Sequence, residues 1–347
     1  MTARRHAPAL IIVPPLDTLP PELEAPVASP DALAPHPAAP QPLHKSALAF
    51  VALVLPSYAL LGGAAQRANP GLGLLAGELV LLAGSAALAA LGSGLTARDG
   101  LLLARRPRPA QLGLAALIGV AGFFAAGALM SLTSLVLPAR WVEYFDLGRA
   151  ILDLPPRQRL GVWAAAALVA PLCEELTFRG WVLTALRTRH RTGFALFLSG
   201  LLFALVHLDP VRFTAVLALG ALFAWLAWRA GSVWPAVVAH LVNNSLGVAM
   251  SVSGAGGEGD LVAARAHVAQ VALLWMGLLA AAGAILRGLA LAYLRATPEP
   301  PPVEAALAAR PGEAPGPFRW SRVPRAALLA FLVGILALCA IAATGKR

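Results

Sequence analysis

Charge is what this chain has least of. Only 13% of its 347 residues are Asp, Glu, Lys or Arg, about half the roughly 25% usual in soluble globular proteins. With 59% hydrophobic residues and a mean hydropathy of +0.73, the shortage excludes an ordinary soluble domain with a charged shell and points to a polytopic membrane protein. Cysteine is nearly absent. Cys173 and Cys339 both lie in apolar runs, so no disulfide framework is implied. Cys173 adjoins Glu174 but reads as a small buried hydrophobe rather than a nucleophile. The net charge is +10, yet the basic residues stand singly between apolar runs and form no aromatic-interleaved stripe. That argues against a nucleic-acid partner and for loop arginines facing anionic lipid. No HExxH is present, so the local helix signature of a zinc protease is missing. The first 45 residues lack the apolar central region of a signal peptide. No repeat is strong enough to suggest a transporter built of two halves.

What is present is a series of apolar runs near the roughly 20 residues that cross a bilayer. They fall at 46–65, 71–93, 112–136, 160–186, 193–208, 211–229, 232–253, 267–290 and 324–343. The pattern predicts an all-α polytopic transmembrane bundle of eight or nine spans. The predicted layout has a disordered, Pro/Ala-rich cytoplasmic arm (1–45), a bundle (46–293), a Pro-rich linker (294–324) and an accessory C-terminal helix (325–347). The fifth run is short and ends at Pro210, which cannot continue a helix. Ser232 and Pro235 suit the start of the seventh. Arg4, Arg5 and Lys45, then Arg98, Arg105, Arg106 and Arg108, then Arg187, Arg189 and Arg191 fall on one side by alternation. The positive-inside rule makes that side cytoplasmic, N-terminus included. The stretch 139–159 mixes charges of both signs and reads as an amphipathic connector on the opposite surface. Trp163, Trp225, Trp228 and Trp234 fall near span ends, as an aromatic belt requires.

Three polar insertions break these runs: Pro171–Gly180 (PLCEELTFRG), Phe203–His207 (FALVH) and His240–Asn244 (HLVNN). An ionisable side chain at bilayer depth costs at least ~2.5–3.5 kcal/mol, so it is paired or used. Glu175 and Arg179 are four apart on one helix face, and an internal ion pair is the plain reading. Glu174 lies about 100° further round the helix, needing another partner. Phe203 and His207 share a face, as do His240 and Asn244, and polar helix-to-helix packing is the plain reading for both. Pro171 should loosen the helix just before it. By a 1.5 Å rise per residue, Glu174, His207 and Asn244 each lie roughly 20 Å from the cytoplasmic end of their spans and His240 about 12 Å. A carboxylate, two imidazoles and an amide are thus within reach in depth. A carboxylate in apolar surroundings can take a proton from water, a His beside it can orient that water, and a second His with an amide can donate to an oxyanion. An alternative chemistry makes Glu174, His207 and His240 three ligands of a zinc ion with one position open for water. Glu78, inside the second run, reads as a buried hydrogen-bonded carboxyl or a contributor to the site cavity. Asp209 either ends a helix or faces surface water. Arg287 snorkels.

The order EELTFR (174–179), FALVH (203–207) and HLVNN (240–244) resembles the CPBP family, the type II CAAX prenyl endopeptidases and related bacteriocin-processing or immunity proteins, over about 112–250. The resemblance implies a membrane-embedded endopeptidase in which Glu174 is the general base and His207 helps activate water. His240 and Asn244 would stabilise the oxyanion, with Glu175, Arg179 and Phe203 supporting. It implies a membrane-associated protein or peptide as substrate, lipid as surroundings, and a glutamate mechanism in preference to the metalloprotease assignment the family long carried. A non-enzymatic membrane immunity or scaffold protein of the same fold is the alternative. The compact loops and the Ala, Arg and Pro usage suggest a bacterial chain, hence a bacterial inner membrane.

Overall fold

The computed structural model describes residues 43–253, 266–297 and 315–345. Most of the N-terminal arm (1–42) and of the Pro-rich linker (298–314) lies outside the described residues.

Nine helices carry the apolar runs among the described residues: α1 His44–Ala68, α2 Pro70–Gly92, α3 Pro109–Val136, α4 Pro156–Arg187, α5 Thr192–Val206, α6 Phe213–Ala230, α7 Trp234–Ser253, α8 Val268–Ala296 and α9 Arg325–Thr344. Eight are long and apolar enough to cross a membrane, and α5, with 15 residues, is shorter. The chain is a multi-pass membrane protein. Proline writes many of the helix starts. Pro70, Pro109 and Pro156 open α2, α3 and α4, where the missing N–H is unneeded and the fixed φ is already helical. Asn69 caps α2 by accepting from the Leu72 amide at 3.1 Å. Ser232 does not cap α7; its hydroxyl donates to Arg105 O at 2.8 Å, tying the α2–α3 loop to the α6–α7 turn.

The break after α5 comes earlier than Pro210. The helix ends at Val206, and Leu208 takes a left-handed φ of 50°. Asp209 is buried rather than facing water. Its carboxylate accepts from the Val211 and Arg212 amides at 2.9 and 3.1 Å and from Arg212 Nε at 2.6 Å, which starts α6. The connector between α3 and α4 is itself helical at Ala139–Tyr144 and Leu147–Leu152.

Helix α4 is the axis of the bundle. Its stretch Cys173–Leu186 is almost wholly buried. One apolar cluster joins it to α1, α2 and α5, and another joins α3, α6, α7 and α8. The seams are made by glycine. A Cβ on Gly220 would lie 2.9 Å from Gly200 Cα, and one on Gly119 would lie 2.4 Å from Ala239 O. The α5–α6 and α3–α7 crossings therefore bring backbones into direct contact, as small residues allow in membranes. Helix α9 leans on α1 and α2, burying Leu338 against them. Residues from the end of the predicted linker dock too: Arg319 donates from its amide to Gly92 O at 2.8 Å.

Three of the long helices contain widened π-helical turns: Tyr58–Gly62 in α1, Gly77–Gly84 in α2, and Ala165–Val169 and Leu176–Val182 in α4. Pro56 precedes the first and Pro171 follows the third. A proline withholds an amide from the ladder and crowds the turn before it. The loosening expected before Pro171 is present as the turn Ala165–Val169.

Candidate functional site

The short α-helical segment Ala170–Glu175 between the two π turns of α4 presents Glu174 and Glu175 to the bundle interior, 8% and 0% exposed. Arg179, also 0% exposed, donates from Nη1 to Glu175 Oε1 at 2.9 Å and from Nη2 to Gly220 O at 2.9 Å. Its guanidinium lies 4.3 Å from the centre of the Phe203 ring. The expected ion pair is present and does more than neutralise two charges: one guanidinium joins α4, α5 and α6.

Glu175 has a second partner. Its Oε1 is 2.8 Å from His240 Nδ1, while His240 Nε2 is 3.5 Å from Glu174 Oε2. These contacts assign the protons. Glu175 already accepts from Arg179 and is ionised, so it can only accept again, and Nδ1 must donate. His240 therefore turns Nε2 toward Glu174. A bare lone pair facing a carboxylate at that distance would repel it, so a proton or a bridging water belongs between them. Phe223 stacks on the imidazole at 5.0 Å with 28° between planes and holds its orientation.

His207 meets this cluster through Phe203, whose ring is 4.8 Å from the His207 ring and 5.7 Å from the His240 ring. His207 Nδ1 is 2.9 Å from Phe203 O. A carbonyl only accepts, so Nδ1 carries the hydrogen and Nε2 of the neutral ring is left as an acceptor. This bond caps a free carbonyl in the last turn of α5, the plain structural role. It also presets a nitrogen that can receive a hydrogen bond from water. Asn244 donates from Nδ2 to Ala166 O at 3.0 Å. That carbonyl belongs to the π turn before Pro171, and one N–H of the amide stays available.

The structure thus joins Glu174, Glu175, Arg179 and His240 directly, attaches Phe203 and His207 by ring contacts, and anchors Asn244 to the backbone of α4. Counting rise from the span ends placed Glu174 and His240 at unequal depth, but they touch; such counting assumes untilted helices. Among the described residues no three His, Cys, Asp or Glu side chains converge as a metal site requires. Cys173 is a buried free thiol. Glu78 is buried and accepts from the Tyr58 hydroxyl. Tyr58 and Phe223 were not singled out in the sequence, because an aromatic in an apolar run carries no local signal of its partner.

Residues 156–246 match the family described as type II CAAX prenyl endopeptidase Rce1-like. All three motifs lie inside that stretch, while α3, expected within the resemblance from residue 112, falls outside it. A Bacillus subtilis (strain 168) protein described as "Putative membrane peptidase YdiL" is 31% identical over 156 residues, 43% of this chain and 61% of that protein. The match thus spans less than two thirds of the relative's length. No solved structure matches. The two matches support the CPBP family reading of the three motifs.

Proposed function

We propose, on the premise of an Rce1-like core at residues 156–246, that this chain is an intramembrane endopeptidase. It cleaves a peptide bond of a membrane-associated protein or peptide with a water activated by Glu174. The observation that carries the reading is the Glu174–His240 pair, with His240 fixed from behind by the Glu175–Arg179 ion pair. A carboxylate with a free edge beside an imidazole with an assigned tautomer, both buried among apolar helices, has the parts that proton transfer in a dry site needs.

In the proposed reaction Glu174 takes one proton from water, and the hydroxide oxygen forms the new bond to the scissile carbonyl carbon. His207 Nε2 accepts the water's other hydrogen and so orients it. The oxyanion receives hydrogen bonds from His240, when Nε2 is protonated, and from the unused Asn244 N–H. The Glu175 carboxylate behind Nδ1 stabilises that imidazolium, the role a buried carboxylate plays behind a catalytic histidine. As the C–N bond breaks, Glu174 returns its proton to the leaving nitrogen, so water is divided between the acyl and amine products. No step requires a metal. The domain layout, read from composition, a bacterial inner-membrane location, read from the compact loops and the Ala, Arg and Pro usage, and a cytoplasmic N-terminus, read from the loop arginines, belong to the same proposal.

Purified protein offered membrane-tethered peptides tests the reading. Glu174→Gln is expected to lose cleavage while folding as wild type does. A fully active Glu174→Gln enzyme overturns it. Absence of cleavage by a well-folded wild type favours the immunity or scaffold alternative, for which the bonds Arg179 to Gly220 O and Asn244 to Ala166 O serve only to join helices. Stoichiometric zinc lost on changing His207 or His240 would restore the metal mechanism.

A further inference from the structure

Glu78 lies outside the three motifs and outside the matched residues 156–246, yet it packs against the site. It is 1% exposed and sits on the π turn Gly77–Gly84. That turn packs on the α4 segment bearing Glu174. Its Oε1 accepts from the Tyr58 hydroxyl, and its buried Oε2 has no hydrogen-bond partner among the described residues. The Tyr58 ring is slotted between two glycines: a Cβ on Gly77 would lie 3.4 Å from it and one on Gly62 3.7 Å. Tyr58 is itself on a π turn, so the polar residues on both sides of this contact come from bulged helix, a feature often found at functional sites.

We propose that Glu78 is a positioning residue for Glu174: it holds a proton beside that carboxylate, with Tyr58 fixing its carbonyl oxygen, so that Glu174 stays ionised and able to accept the proton of the attacking water. The inference rests on the hydrolytic reading of Glu174. An ionised Glu78 would leave a bare buried oxygen facing no donor, which is costly. A protonated Glu78 is neutral and costs far less to bury. The buried carboxyls on these packed segments are Glu78, Glu174 and Glu175. Glu175 is ionised by Arg179 and His240. Glu78 and Glu174 remain, and two like charges in one dry site do not both ionise. Glu174 faces an imidazole able to carry positive charge, whereas Glu78 faces a phenol, so the shared proton stays on Glu78. Tyr58 from α1 and Cys173, Glu174, Glu175 and Arg179 from α4 are the titratable groups on the α1 and α4 turns packed against its own. Helix α9, which also packs on this turn, has no charged residue after Arg325.

Infrared spectroscopy of the purified full chain reads the proton directly. The wild type should show a protonated-carboxyl C=O band at neutral pH. It should disappear in Glu78→Gln, move to higher frequency in Tyr58→Phe, and persist in Glu174→Gln. In cleavage assays Glu78→Leu should lower kcat about 30-fold at unchanged KM, with Glu78→Gln, which keeps a neutral donor, recovering most of the loss. A band that survives Glu78→Gln but vanishes in Glu174→Gln places the proton on Glu174 and overturns the proposal. Equal kcat for the Leu and Gln variants at equal folded yield reduces Glu78 to packing. A fully active Glu174→Gln would instead overturn the hydrolytic reading, and the band would still locate the proton.

Discussion

At the scale of single residues, Glu175 is the hinge of the site's electrostatics, because one oxygen serves both Arg179 and His240. Removing one partner of a buried ion pair costs about 3–5 kcal/mol. Arg179→Met is therefore expected to lower the unfolding temperature in detergent sharply, and the double change with Glu175→Gln to regain part of the loss. Additive losses would show that the pair does not interact. If His240 donates to the oxyanion, His240→Gln should reduce kcat about 10²–10³-fold with little change in KM. A matching fall in folded yield instead would assign it to packing. The charged members of this cluster were legible in the sequence because a carboxylate, an arginine or a histidine is conspicuous in an apolar run. Their partners were not. The Gly220 and Ala166 carbonyls leave no signature, and Phe223, stacked on His240, looks like any core aromatic. The sequence did place Glu78 among buried hydrogen-bonded carboxyls, which the Tyr58 bond bears out.

At the scale of helices, the site depends on how closely backbones approach. Gly119 sits against Ala239, the residue before His240, and a methyl group there would come within 2.4 Å of a carbonyl oxygen. Overpacking a tight contact costs about 1–3 kcal/mol. Gly119→Ala should thus push α3 from α7, lowering both thermal stability and activity, whereas Gly113→Ala, where nothing lies within 4 Å, should change neither. Equal behaviour of the two variants would mean that the crossing is slack. Helix positions were readable from the lengths of the apolar runs, most ends agreeing within a few residues. The π turns were not, apart from the loosening expected before Pro171. A single widened turn needs no special residue type, and in α2 no proline accompanies it.

At the scale of the whole molecule, the nine helices among the described residues imply that residues 43 and 345 lie on opposite sides of the membrane if the short α5 crosses. A C-terminal alkaline phosphatase fusion should then be active and a C-terminal green fluorescent protein fusion dark when the N-terminus is cytoplasmic. The reverse result would mean that α5 dips in without crossing or that the chain is inverted. Helix α9 was expected to be an accessory, and it rests on the two helices that carry Tyr58 and Glu78. Its removal before Pro324 should expose the apolar faces around Leu81 and Ala65 and lower the unfolding temperature.

The central claim is that Glu174 activates water, and one measurement tests it most directly: cleavage of a membrane-tethered peptide library by the purified wild type and by Glu174→Gln, each with and without a strong chelator. The account predicts products from the wild type in both conditions and none from Glu174→Gln at equal folded yield. Undiminished cleavage by Glu174→Gln, or wild-type cleavage abolished by the chelator and restored by zinc, would contradict it.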